Sequence, residues 1–189
     1  LHRPNRPAAG MGYRYASPWR LSEEEERQTV HRAIAALEKS TGQRPRGWRT
    51  PESRPSVHTL GLLAEAGLVW DSSVRNDDLP YAMELGAHSL VEIPFGGATD
   101  DANYFGFPNP TAPASSVLRV WQDELDTLYG EAQRRSSMFI LCLHPSFVGR
   151  PAELSALEQL LTVMKGLDGL WFARCGDVAA WWAQNRNWV

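Results

Sequence analysis

Four segments of this 189-residue chain end an apolar run in polar or ionisable residues: Arg49-Thr50-Pro51, Asp71-Ser72-Ser73, Glu92-Ile93-Pro94 and Leu141-Cys142-Leu143-His144-Pro145. His144 carries the clearest chemistry. An imidazole at the end of a buried strand is held rigidly, is partly desolvated and can exchange a proton near neutral pH. The proline that follows stiffens the chain's exit. Arg49 at a strand end is costly to bury without a carboxylate. It therefore either orients a catalytic carboxylate, binds an anionic group, or makes a structural ion pair. Asp71 either holds His144 in one tautomer, as carboxylates do for catalytic imidazoles, or is a turn residue.

Other ionisable groups offer less. Asp77-Asp78 and Asp100-Asp101 are adjacent pairs in loops. Neighbours on an extended chain point to opposite sides, so such a pair is expected to serve caps and loops rather than one metal ion, with one member at most reaching a substrate. No HxxxH, HExxH, CxxC or GxSxG motif and no glycine-rich phosphate loop occurs. His2, His31, His58 and His88 have no partner at a metal-ligand spacing and are expected on surfaces or helix faces.

The elements that must position these residues alternate along the chain. Ser22 with Glu25 is a capping box opening SEEEERQTVHRAIAALEKSTG, where Val30, Ile34 and Leu37 share a face and Gly42 is the stop. Glu23 to Glu26 suit the positive end of the helix dipole. RGWRTP, LVWDSS and VEIPF (91–95) read as short strands, and Ser56–Ala66 as a second helix. Residues 96–114 form a long Gly/Pro/Asn/Asp-rich loop, a length that is often functional. Ser115 or Ser116 is expected to cap a third helix, and Pro151 to start a fourth at the favoured first position. SMFILCLH (137–144) reads as a fully buried parallel strand, LWFA as a last strand and GDVAAWWAQN as a last helix. Strand–helix alternation with short turns implies an α/β fold with a mostly parallel sheet, whose chemistry sits at the carboxyl ends of the strands.

Composition narrows the class. The chain is 43% hydrophobic and 22% charged with net charge −3, which fits one globular domain and argues against a nucleic-acid binder. No apolar run reaches the ~18 residues of a membrane helix. The segment LHRPNRPAAG lacks the apolar middle of a secretory signal, so residues 1–9 are expected to be an irregular arm and 10–189 the folded domain. Cys142 and Cys175 make no disulfide framework and lack metal-site spacing. The absence of a signal and of disulfides leans cytoplasmic. Eight tryptophans are many for this length, filling a core or lining a groove or interface.

GWRTP, LVWDSSVRNDDLPY, VEIPF and LCLHPSFVGRP, in that order and preceded by GYRYASPWRLSEEEE, resemble the polysaccharide deacetylase family (NodB-homology, carbohydrate esterase 4), nearest its cytoplasmic peptidoglycan-deacetylase and allantoinase-like branch. The resemblance covers roughly residues 10–185. It implies a distorted (β/α) barrel and metal-assisted hydrolysis of an amide, usually the acetamide of an N-acetylated sugar. A divalent ion, often zinc, is held in the family by one Asp and two His, and a second Asp is the base. By the same resemblance His144 is the general acid, Arg49 pairs with the catalytic aspartate, and Asp71 supports the histidine. Leu141 and Leu143 flank the pocket for the acetyl methyl, with Pro51 and Trp48 beside the substrate.

The rest of the pattern is not met. Pro7 and Met11 stand where the two metal histidines are expected, and no TFDDG-like segment precedes them. A thioether is a poor ligand for a borderline ion and proline is none. The chain thus resembles the C-terminal two-thirds of such an enzyme, lacking the first strands and the metal-binding half. It is expected to hold no metal and to turn over no N-acetylated sugar by itself. The alternatives are a non-catalytic, carbohydrate-binding module that self-associates into a homo-oligomer through exposed strand edges, and an allantoinase-like amidohydrolase acting on small cyclic ureides.

Overall fold

The computed structural model describes residues 8–106 and 110–185. The chain divides into two units, Leu1–Pro94 with Ala173–Trp188, and Phe95–Phe172.

In the first unit, helix α1 (Glu23–Thr41) begins as its sequence predicts. The Ser22 hydroxyl accepts the Glu25 N–H while the Glu25 carboxylate accepts the Ser22 N–H at 2.8 Å. Gly42, at φ 73°, ends the helix in the left-handed conformation that glycine adopts without strain. Val30, Ala33 and Ile34 of α1 pack with Leu63 and Ala64 of α2 (Thr59–Glu65) and with Leu90. Glu26, on the same helix, is buried against the hydroxyls of Ser56 and Thr59, which tie α1 to the start of α2.

The sheet has five strands: β1 (Ala9–Gly10), β2 (Gly47–Trp48), β3 (Trp70–Asp71), β4 (Tyr81–Leu85) and β5 (His88–Glu92). Their order is β1-β2-β3-β5-β4, all parallel except the antiparallel β4/β5 pair. Two glycines permit this pairing. A Cβ on Gly10 would lie 2.3 Å from the ring of Trp48, and one on Gly47 would lie 1.8 Å from the ring of Trp70. Each tryptophan thus lies over the glycine it pairs with on the next strand. That accounts for two of the tryptophans as packing. Helix α7 (Cys175–Gln184) completes the unit and buries Ala179 and Trp182.

The second unit is helical: α3 (Ala102–Phe105), α4 (Ala114–Glu131), α5 (Pro145–Val148) and α6 (Pro151–Lys165). Phe105, Trp121, Leu125, Leu160 and Met164 form its core. Trp121 is fully buried, meets Phe105 edge-on with centroids 6.4 Å apart, and donates its indole N–H to the Ala98 carbonyl at 3.1 Å. Pro151 opens α6 as expected, whereas α4 is preceded by Pro113 rather than capped by Ser115 or Ser116.

The α/β class and the mostly parallel sheet agree with the sequence. Three local expectations are corrected. Residues 137–144 are extended and half-buried, not a buried strand, and their one bridge joins Cys142 to Asp100. Their apolar side chains Phe139, Leu141 and Leu143 lie against the helical core instead of between two ladders. LWFA forms no strand, and Trp171 and Phe172 are exposed. Strand β4 was not anticipated; it forms a hairpin with β5 through the two-residue turn Gly86-Ala87, where Gly86 takes φ 68°. The arm expected over residues 1–9 lies outside the described residues as far as position 7.

Candidate functional site

In the first unit the carboxyl ends of β3 and β5 bring two acids side by side. Asp71 and Glu92 are register partners on parallel strands, so their side chains share a face of the sheet. Both are fully buried. Asp71 accepts the Ser73 N–H at 2.8 Å and its hydroxyl at 2.9 Å. Glu92 accepts the Val74 N–H at 2.9 Å through Oε1, and Oε2 faces no donor. Two buried carboxyls side by side each disfavour the other's charge, which favours a proton on one of them. Burial first, and then the Asp71 charge, push the Glu92 carboxyl up to about 8. Burial likewise raises Asp71, against the pull of Ser73, Glu92 and the Arg49 charge. At neutral pH the pair therefore keeps a proton.

Arg49 donates from Nη2 to the Ser72 hydroxyl at 2.7 Å, and that hydroxyl donates to the Ile93 carbonyl at 2.7 Å. The Thr50 N–H donates to Ser73 Oγ at 2.8 Å. The strand-end segments at 49–51, 71–73 and 92–94 thus form one polar network. Beyond it, Glu52 and Ser53 have φ of 57° and 52° in the turn that starts at Pro51. Positive φ at two successive non-glycine residues costs of order 1–3 kcal/mol each and is held only by the surrounding structure.

In the second unit the segment 99–101 runs beside Cys142. The Cys142 N–H donates to Thr99 O at 2.9 Å, and the Asp101 N–H donates to Cys142 O at 3.0 Å. This register fixes both aspartates. Asp101, fully buried, accepts the main-chain N–H of His144 at 2.8 Å through Oδ2 and meets ring Nδ1 at 2.6 Å through Oδ1. The imidazole is clamped by one carboxylate at two points. Its side chain is still 40% exposed, so solvent reaches the ring. Asp100 is also buried, and its Oδ1 accepts the Ala102 N–H at 3.0 Å and lies 3.9 Å from His144 Nδ1. Asp100, Cys142 and His144 each present a ligand atom within 4.8 Å of the others, forming the one metal-type group among the described residues. Carboxylate, thiol and imidazole together suit a borderline ion such as zinc better than magnesium or calcium.

No family model matches the chain. The sequence is 23% identical over 202 residues to the peptidoglycan deacetylase of Helicobacter pylori, covering 89% of this chain and 67% of that one. Puue allantoinase superposes with a TM-score of 0.89 at 28% identity, over 98% of this chain and 61% of that one. A probable polysaccharide deacetylase from Pseudomonas aeruginosa PAO1 superposes with a TM-score of 0.88 at 30% identity, over 96% of this chain and 60% of that one. The chain is thus similar in sequence and in fold to polysaccharide deacetylases. It spans about three-fifths of the length of these two solved chains.

Several site expectations change. The carboxylate that holds His144 is Asp101; Asp71 is engaged by Ser73 and Glu92. Asp100 and Asp101 are thus more than loop caps. Their adjacency misled because the chain turns into α3 at Asp101, so two neighbours approach one imidazole. Trp48 is 3% exposed within the apolar core and Pro51 is buried, so neither presents a surface to a substrate. Leu141 and Leu143 lie against the helical core, on the alternation opposite to Cys142 and His144. The expectation that the chain lacks its metal-binding half is not supported, because Asp100, Cys142 and His144 form a candidate metal group among the described residues. Met11, at the place of an expected metal histidine, is exposed, and Pro7 lies outside the described residues. The position of Met11 does not fit the family's Asp/His/His set, so no step is derived through an ion there. Glu92 was visible as a strand-end acid but received no role, because only strand pairing reveals its neighbour.

Proposed function

We propose that this polypeptide takes part in hydrolysis of a C–N bond, the acetamide of an N-acetylated sugar, with His144 delivering a proton to the departing amine. The observation that carries this reading is the two-point clamp of Asp101 on His144. A buried carboxylate that fixes both tautomer and orientation leaves the other ring nitrogen for proton transfer. The partial exposure of the ring lets a substrate reach it.

A cyclic ureide is the second substrate class, favoured by the similarity to Puue allantoinase. The test is release of acetate from N-acetylglucosamine oligomers beside ring opening of allantoin, for the wild type and His144→Ala. Loss of one activity on substitution supports the reading and selects the substrate. Turnover unaffected by His144→Ala overturns it. Self-association through the sheet edges β1 and β4, or through exposed Trp171 and Phe172, is part of the same proposal. A single monomeric species in light scattering would refute that part.

A further inference from the structure

We propose that Asp100, Cys142 and His144 form a binding site for a thiophilic divalent ion of the zinc class, a ligand set other than the Asp/His/His set of the family. The proposal deepens the reading of His144 but does not need it.

Three features support the site. The first is span. In tetrahedral zinc sites, bonds of 2.0–2.3 Å put ligand atoms about 3.4–3.7 Å apart. Asp100, Cys142 and His144 each present a ligand atom within 4.8 Å of the others, and with Nδ1 held by Asp101 the ring nitrogen left for an ion is Nε2. Side-chain adjustments of ~1 Å close that gap. The second is preorganisation. Asp100 and Cys142 are joined by a backbone bridge, and two main-chain hydrogen bonds of 2.9 and 3.0 Å hold that register. Cys142 and His144 are two residues apart in extended chain and so point to the same side. The third is the outer contact. Asp101 holds the ring of His144 in the way outer carboxylates orient ligating histidines.

Three protein ligands leave a fourth position open, and the exposed edge of His144 places that position toward solvent. Binding releases the thiol proton, because the thiolate is the ligand. It also has a consequence for His144: a ring held by Asp101 on one nitrogen and by the ion on the other has no proton to give. Occupancy of this site and proton donation by His144 exclude each other.

The test is titration of the metal-stripped protein with Co2+, an optical substitute for Zn2+. Binding of one Co2+ per chain with a near-ultraviolet thiolate-to-cobalt charge-transfer band, displaced by Zn2+, is the expected result. Cys142→Ser removes the band, Cys175→Ser keeps it, and Asp101→Asn weakens binding roughly tenfold to a hundredfold. Circular dichroism of each variant verifies folding. Absence of the band in folded wild type, or its survival in Cys142→Ser, overturns the proposal. Because the band is read without turnover, it stands even where the hydrolase reading fails. Where acetate release is found, Zn2+ is expected to inhibit it in the wild type and not in Cys142→Ser. Equal inhibition of both would overturn the exclusion at His144.

Discussion

Replacing Glu92 by glutamine should remove one loss of stability that the wild type suffers as pH rises through the neutral range. Glu92 is fully buried beside Asp71, and its carboxyl is raised from 4.5 to about 8. In the unfolded chain it ionises near the lower value. Below that value both states are protonated, and the contribution of this group to the folding balance is zero. Between the two values the folded state binds more protons than the unfolded state, so stability falls as pH rises. Above about 8 both states are ionised and the loss is complete. At ~1.4 kcal/mol per pH unit the full displacement corresponds to about 5 kcal/mol. Relaxation and water entry on ionisation reduce the measured change to roughly 2–4 kcal/mol.

Glutamine keeps the oxygen that accepts the Val74 N–H and offers an N–H toward Asp71, imitating the protonated acid. The assay is urea unfolding from about pH 5 to about pH 9, with wild type and Glu92→Gln compared at each pH so that other titrating groups cancel. The wild type should lose stability relative to the variant as pH rises. A constant difference between the two across that range would refute the shared proton. A wild type that gains on the variant as pH rises would reverse the sign and refute the argument outright.

The remaining predictions concern single contacts. Ser22→Ala removes half of the capping box and should lower stability by about 1 kcal/mol in thermal unfolding. Trp121→Ala leaves a cavity in the helical core and should cost about 3–5 kcal/mol, seen as a lower urea midpoint; Trp121→Phe should cost less. Gly47→Ala places a methyl 1.8 Å from the Trp70 ring, so soluble expression should collapse, and Gly47→Ala with Trp70→Ala should recover part of it. Asp101→Ala leaves the His144 main-chain N–H and ring without their acceptor. A loss of about 2–4 kcal/mol by chemical denaturation is expected, with Asp101→Asn retaining part of it.

Helix starts and stops were the most legible features, because they are local. The Ser22/Glu25 box, the Gly42 stop and Pro151 at a helix start depend on residues within one turn of each other. The strand-end polar segments were legible for a related reason: an apolar run that ends in Arg, Asp or His marks a place where the chain leaves the core. The parallel character of the sheet also followed, since strands separated by helices cannot pair as hairpins.

Which of these residues meet was decided by tertiary structure. One-dimensional spacing cannot tell that Asp101, 43 positions before His144, clamps its ring, whereas Asp71 faces Glu92. Segment 137–144 has the composition of a buried strand, yet a strand exists only where a neighbour supplies a ladder, and the described residues supply a single bridge. The Asp100/Cys142/His144 group escaped the motif search for the same reason. Metal-site spacings describe ligands on one helix or turn, and here a loop and an extended segment bring them together. Residue type along the chain thus determined the chemistry available, and pairing between distant segments determined which groups share a proton, a hydrogen bond or an ion.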